Sequence, residues 1–188
     1  MLTQIPPAIV IFGLLSAVTG LLYPLAITGV AQAAFPTQAN GSRVIDEGTI
    51  IGSDLIGQSF SQPQYFWPRP SATGPEAYNA AASSGSNVGP TGAALIERVG
   101  EAVTATGKPT ASADAVTTSG SGLDPHITPQ NAAAQVERVA TARGVDASVI
   151  LSVLADVTEA PTFAIFGEPR VNVLRLNLAL DEAAPLGN

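Results

Sequence analysis

Pro7-Ala-Ile-Val-Ile-Phe-Gly-Leu-Leu-Ser-Ala-Val-Thr-Gly-Leu-Leu-Tyr-Pro-Leu-Ala-Ile-Thr-Gly-Val-Ala-Gln-Ala-Ala34 decides how the rest of the chain is read. No Asp, Glu, Lys or Arg occurs before Arg43. As a helix the run would reach roughly 40 Å at about 1.5 Å per residue, longer than the ~30 Å hydrocarbon core of a bilayer. The sequence therefore predicts a short tail over 1–7, a single transmembrane helix over 8–34, and one water-exposed domain over 35–188. Pro6 and Pro7 suit a helix start, where the missing N–H costs nothing. Pro24 is expected to bend or stop the helix, and Tyr23 and Phe35 to lie near the far interface.

Two other readings of this run compete with a plain anchor. Ala31-Gln-Ala33 resembles a small-residue cleavage site, but no basic residue precedes the apolar run. The run also exceeds the ~7–15 residues of a signal-peptide core, so the segment is expected to stay uncleaved. Gly13, Ser16, Ala17, Gly20 and Pro24 recur at helical spacing on one face. Small residues aligned in this way let a second helix approach closely, although small residues are common in spans anyway. Flanking charge gives no orientation, because Arg43 is offset by Asp46 and Glu47.

About 150 residues follow the span, enough for one domain with a hydrophobic core. The net charge of −7 and the single lysine, Lys108, argue against a nucleic-acid partner. The absence of cysteine excludes disulfides and thiolate chemistry. With one histidine, a zinc site would need an unusual carboxylate-rich set, so no metal is expected. The 18 glycines and 15 prolines indicate a loop-rich domain; the strands and helices read along the chain make its expected class mixed α/β (α+β).

Asn40-Gly41 marks a turn leaving the membrane, and Thr49–Gln58 reads as brief strands punctuated by glycine. Phe60-Ser-Gln-Pro-Gln-Tyr-Phe-Trp-Pro-Arg-Pro-Ser71 holds three adjacent aromatics and an arginine between prolines. Such a segment is rigid and extended, neither interior strand nor helix. Tyr65, Phe66 and Trp67 are either core residues supplied by a loop or a preorganised binding edge, since arginine and aromatics are favoured at interfaces.

Ile56-Gly-Gln-Ser-Phe60 leading into Tyr65-Phe-Trp-Pro-Arg-Pro-Ser71, then Tyr78-Asn-Ala-Ala-Ala-Ser-Ser-Gly-Ser-Asn-Val-Gly-Pro90, resembles the C subunit of the Kdp potassium-transporting P-type ATPase. The likeness continues through Thr117–His126, Gln135–Gly144 and Gly167–Leu174, and includes Tyr23-Pro24 and Asn40–Ser42. It covers nearly the whole chain. The resemblance implies a noncatalytic accessory subunit of an ATP-driven potassium importer, single-pass in the cell membrane, with its domain on the extracytoplasmic side. It implies three partners: a channel-like potassium-translocating subunit, a P-type ATPase subunit and a very small fourth subunit. The family is also described as a catalytic chaperone that raises the ATP affinity of the ATPase subunit. ATP is cytoplasmic, so a domain outside could act on it only indirectly; ATP and potassium are then used by the complex, with no cofactor bound by this chain. A membrane-anchored binding module for an extracellular ligand is the alternative.

The remaining elements follow from spacing and capping. A helix is predicted over Ala94–Thr106, burying Leu95, Val99 and Val103 and ending at Gly107. Ala115–Thr118 reads as a strand. Ser119, Gly120, Ser121 and Gly122 could form an anion-binding nest, but no lysine lies near and the G-x-x-x-x-G-K-[ST] pattern is missing. No G-x-S-x-G elbow surrounds Ser121, and Asp124 next to Pro125-His126 suits a structured turn better than a triad, so no catalytic residue is assigned. Thr128 caps a helix from Pro129 to about Arg143, stopped by Gly144, with Ala132, Val136, Val139 and Ala140 inward. Asp146 caps a second helix, Ala147–Thr158, burying Val149, Ile150, Val153, Leu154 and Val157. Thr162–Phe166 is a short strand or turn. For Val171–Leu180 the pattern fits strand or helix, and helix is chosen after Pro169. The acidic end from Asp181 to Asn188 is expected to fray. Tyr65, Phe66, Arg69, Ser71, Ser86, Asn87, Asp124, His126, Gln135, Arg138, Arg143 and Asn172 are the candidates for interface or loop-bracing roles. Arg138 and Arg143 either form a solvated or salt-bridged face or brace the Ser119–His126 loop; bracing is expected, because arginine's planar fork suits fixed carbonyl or carboxylate partners.

Overall fold

A computed structural model describes residues 2–46, 48–107 and 109–186. Glu47 of the flanking charge balance, Lys108, and the end of the acidic tail at Gly187-Asn188 lie outside the described residues. The chain divides into two compact units, one ending at Ile51 and one beginning at Gly52.

In the first unit a continuous helix runs from Leu2 to Ala34, long and apolar enough to cross a membrane, with none of its apolar window buried. It opens with a 3-10 turn, Leu2–Gln4, continues as α1 (Ile5–Ala17), widens into a π turn over Val18–Leu22, and resumes as α2 (Tyr23–Ala34). Pro24 therefore does not stop the helix. A proline cannot donate to the carbonyl four residues back and its ring crowds that turn. The wider turn just before it, in which the Tyr23 N–H bonds the Val18 carbonyl, gives the ring room while the helix continues. Phe35, at φ −137° and ψ 59°, ends α2. The short α3 (Pro36–Ala39) follows, closed by Asn40, whose side-chain amide donates to the Gln32 Oε1 at 3.1 Å and the Pro36 carbonyl at 2.6 Å. Gly41 turns the chain at φ +84°. Next, β1 (Arg43–Asp46) pairs with β2 (Thr49–Ser53) in a two-stranded sheet. Only the first half of the expected Thr49–Gln58 strand region is a strand; Ile56 forms an isolated bridge with Ser53.

The second unit is built on three helices. α6 (Pro129–Arg143) and α8 (Val173–Ala183) both pack against α7 (Ala147–Val157). Thr128 caps α6 by accepting from the Asn131 N–H at 3.1 Å, and Gly144 ends it in the left-handed region at φ +68°. The Val145 N–H then reaches back to the Ala140 carbonyl, closing the helix end. Asp146 caps α7 through Ser148. Asn172 caps α8, so 173–180 is helical while Val171-Asn172 forms a short strand, β4. That strand pairs antiparallel with β3 (His126–Ile127), His126 opposite Asn172 and Ile127 opposite Val171. Ile127, Val136, Val139, Ile150, Leu154, Val171, Leu176 and Leu180 form the buried core together with Phe66 from the aromatic-proline segment.

Several expectations change. Ala115–Thr118 is not a strand. A helical turn, α5 (Ala113–Val116), aims the Asp114 carboxylate at the start of α6, where it accepts from the Thr128 N–H (2.7 Å) and the Asn131 amide (3.1 Å). α4 (Ala93–Ala105) has no fully buried residue; Leu95, Val99 and Val103 are half-buried. Val149 faces outward at 37% exposure, because Ile150 and Leu154 already fill the α7 contact. The acidic end is docked through Asp181 and the buried Ala184 rather than frayed from Asp181 onward.

Candidate functional site

Gln62–Ser71 has no regular secondary structure, yet its main chain is held by side chains from two helices. Asn177 on α8 accepts from the Phe66 N–H at 2.8 Å and donates to the Phe66 carbonyl at 3.1 Å, mimicking a strand partner. Gln135 on α6 does the same for Trp67, at 2.8 and 3.1 Å. Arg138 donates to the carbonyls of Pro63 and Tyr65, and its guanidinium lies 3.7 Å from the centre of the Trp67 ring. Arg143, with a fully buried side chain, donates to the carbonyls of Gln64, Leu180 and Ala184 and pairs with Asp181 at 2.8 Å. Thus Arg138 and Arg143 do not brace the Ser119–His126 loop: their positions on α6 face the 63–65 backbone instead. Phe66 is wholly buried, Tyr65 is half-buried with its hydroxyl on Asp181, and Trp67 keeps 39% exposure.

The loop 118–126 is held by the far end of the same segment. Arg69 pairs with Asp124 at 2.9 Å and also reaches the Thr118 carbonyl. Ser71 donates to the Gly122 carbonyl at 2.7 Å and accepts from the Tyr78 N–H at 3.0 Å. The Tyr78 hydroxyl donates to the Arg69 carbonyl. Ser83 and the Ser84 N–H both bond the Ser121 carbonyl, and the Gly57 N–H bonds the Leu123 carbonyl. Two glycines permit these close approaches. A Cβ on Gly57 would meet the Tyr78 ring at 2.5 Å, and one on Gly122, at φ +67°, would meet the Ser84 carbonyl at 2.6 Å.

Within the loop, Ser119 and Ser121 accept from the N–H groups of Gly122 (2.9 Å) and Leu123 (3.1 Å). One amide of the nest candidate Ser119–Gly122, that of Gly122, and the next one along, that of Leu123, are thereby engaged by the loop's own serines. Asp124 accepts from the His126 N–H at 3.0 Å, with the His126 ring 3.6 Å away. Burial alone would raise the Asp124 carboxyl, but the bonds from His126 and the Arg69 guanidinium outweigh it and hold the group below its ordinary range. Burial, reinforced by Asp124, pushes the Tyr78 hydroxyl up to about 12. Leu55, Arg69, Ser119, Gly120 and Pro125 line an open cleft of about 500 Å³ beside this network. Asn172 ties the loop to the N-terminal side, donating to the Asp54 carbonyl at 2.9 Å while Arg175 makes a bidentate pair with Asp54. Ser86 is half-buried and Asn87 exposed at φ +51°; neither joins the network among the described residues. Gly13, Ser16, Ala17 and Gly20 are all exposed on the apolar helix, Gly20 within the π turn, and a Cβ at Gly13 or Gly20 meets nothing within 4 Å. Among the described residues no group of three or more His, Asp or Glu could hold a metal ion.

Sequence reasoning missed Asn177, Asp114 and Tyr78. Asn177 carried one signal, a polar residue at a helical position between Leu176 and Leu178. Asp114 carried none, since its partners Thr128 and Asn131 belong to a different element.

The sequence family described as KdpC, the c chain of K+-transporting ATPase, matches residues 5–182. A relative from Variovorax paradoxus, named potassium-transporting ATPase KdpC subunit, is 54% identical over 186 residues, covering 96% of each chain. One from Dechloromonas aromatica with the same name is 50% identical across 98% of this chain and all of the relative. Another from Sorangium cellulosum, also so named, is 50% identical across 97% of this chain and all of its own. The match takes in the apolar helix and the folded unit together, so the chain belongs to the KdpC family, the c chain of the K+-transporting ATPases.

Proposed function

We propose that this chain is an anchored, noncatalytic subunit of a potassium-importing ATPase that stabilises the assembled complex. Its partners are the channel-like potassium-translocating subunit, the P-type ATPase subunit and a very small fourth subunit. The observation that carries this reading is the full-length family match, spanning anchor and domain at once. The geometry supports a structural role. Arg69, Asp124, Arg143 and Gln135 are engaged with the protein's own backbone or with each other. The domain lies on the extracytoplasmic side, the apolar helix crosses the membrane, and Gly13, Ala17 and Gly20 pack against a partner helix. Neither ATP nor potassium is bound by this chain. Its effect on the ATP affinity of the ATPase subunit is indirect, a linkage between sites carried through partners.

Protease added to sealed right-side-out vesicles holding the assembled complex should remove the domain. Protection there, with digestion only in inverted vesicles, would contradict the outward placement and favour direct nucleotide contact. Leucine at Gly13, Ala17 and Gly20 together should leave membrane insertion intact and lower co-purification with the ATPase; unchanged co-purification would remove the helix-packing part of the proposal.

A further inference from the structure

The turn at Thr162–Phe166 is built in a way that core packing does not explain. Among the described residues of the second unit, no large apolar side chain is more exposed than Phe163 at 84% and Ile165 at 77%; Phe166 is 67% exposed. The turn is well formed. The N–H groups of Ile165 and Phe166 bond the Thr162 carbonyl at 3.2 and 2.9 Å, and the Ala164 N–H bonds the Pro161 carbonyl at 2.9 Å. Below it, Glu159 and Arg170 exchange two backbone bonds, at 2.9 and 3.0 Å, and pair their side chains at 2.9 Å. The result is a short two-runged stalk bearing an apolar knob.

Both central residues of the turn are left-handed, Phe163 at φ +55° and Ala164 at φ +59°. Asn-Gly is the preferred pair at such positions, and a phenylalanine there is disfavoured. Strain kept where nothing is buried marks a surface whose shape is used. The charge pattern narrows the user. Residues 160–167 carry no charge, Arg170 is neutralised by Glu159, Glu168 adjoins, and the chain as a whole is −7. Such a rim is repelled by anionic lipid and suits a basic one. A fixed turn is also of use to a shaped pocket and of none to fluid lipid.

We infer that the Phe163–Phe166 knob docks into an apolar pocket with a basic rim on another subunit of the same ATPase complex. The inference rests on the subunit reading above. The chain has no cysteine, so Ala164→Cys, which keeps all three large side chains, creates its sole thiol. The full-length variant is labelled with a membrane-impermeant maleimide, once alone in phosphatidylcholine vesicles and once in the co-purified complex. Glu97→Cys on exposed α4 serves as control. Labelling at 164 should be fast alone and at least about tenfold slower in the complex, with position 97 unchanged. A Phe163→Asp/Ile165→Asp variant with unaltered circular dichroism should associate roughly thirtyfold more weakly, as truncation of central anchors does. Equal labelling at 164 in a complex that does co-purify overturns the inference and leaves the subunit reading standing. Slow labelling already in the isolated chain, with a fluorophore at 164 quenched by brominated lipid, assigns the knob to the bilayer and also overturns it. Failure of the parent chain to co-purify overturns the subunit reading and this inference with it.

Discussion

Gln62–Ser71 and Thr162–Phe166 are both short, apolar and outside any long element, and they meet opposite fates. The first has no repeating backbone pattern, yet Asn177, Gln135, Arg138 and Arg143 satisfy its main chain and Phe66 enters the core. The second has a regular turn, yet leaves Phe163 and Ile165 exposed on this chain. Aromatic content alone does not distinguish a core segment from an exposed turn. What distinguishes them is whether neighbouring helices supply donors and acceptors at the segment's own spacing. A buried amide without a partner costs about 1–3 kcal/mol, so a proline-rich segment enters a core only where side chains replace the missing sheet.

The comparison breaks most easily at Arg143. Its side chain is fully buried and serves three carbonyls and Asp181. Arg143→Ala should destabilise the full-length protein by about 3–4 kcal/mol, read by denaturant unfolding in detergent. Asn177→Ala, which leaves the Phe66 N–H and carbonyl unpartnered, should cost about 2 kcal/mol. A cost under about 0.5 kcal/mol for both would mean the segment is not held as described.

A smaller effect is expected from acid. Burial would raise the Asp114 carboxyl, but the Thr128 N–H and the Asn131 amide outweigh it and hold the group low. A depressed carboxylate contributes stability that is present above its unfolded value, near 3.9, and is lost as pH falls through the folded value. The unfolding midpoint should therefore be flat from neutral pH to about 5 and fall below about 4. Asp114→Asn should lower the plateau and flatten that fall.

The smallest change has the opposite sign. Replacing Phe163-Ala164 by Asn-Gly relieves two left-handed non-glycine residues and should stabilise the isolated chain by about 1 kcal/mol. The same replacement should weaken association with the ATPase. Stabilisation together with full association would show that the exposed knob has no partner.

The helices that carry the fold were legible because their signals are local. Thr128-Pro129, Gly144 and Asp146 set the boundaries of α6 and α7 in sequence, and the apolar period placed Val136, Val139, Ile150 and Leu154 inside. The Ala115–Thr118 strand failed because the deciding partner of Asp114 lies fourteen residues away, at Thr128. The bracing arginines were recognised but assigned to the wrong segment. Arginine chemistry tells that carbonyls will be held, whereas only the face of α6 tells which ones. Of the two outcomes expected at Pro24, a bend or a stop, the stop does not occur, because the π turn at Val18–Leu22 widens the ladder just ahead of the ring.

Hydrogen exchange on the full-length chain, alone and within the assembled ATPase, tests the central contrast most directly. The Phe66 and Trp67 amides, bonded to Asn177 and Gln135, should be protected in the chain alone and unchanged on assembly. The amides of Phe163 to Phe166, in an exposed turn although three of them are bonded within it, should exchange faster than those of Phe66 and Trp67 in the chain alone and slow in the complex. Protection at 65–71 that appears only on assembly, with the 163–166 turn unaffected, would contradict the account and make the aromatic-proline segment the docking surface.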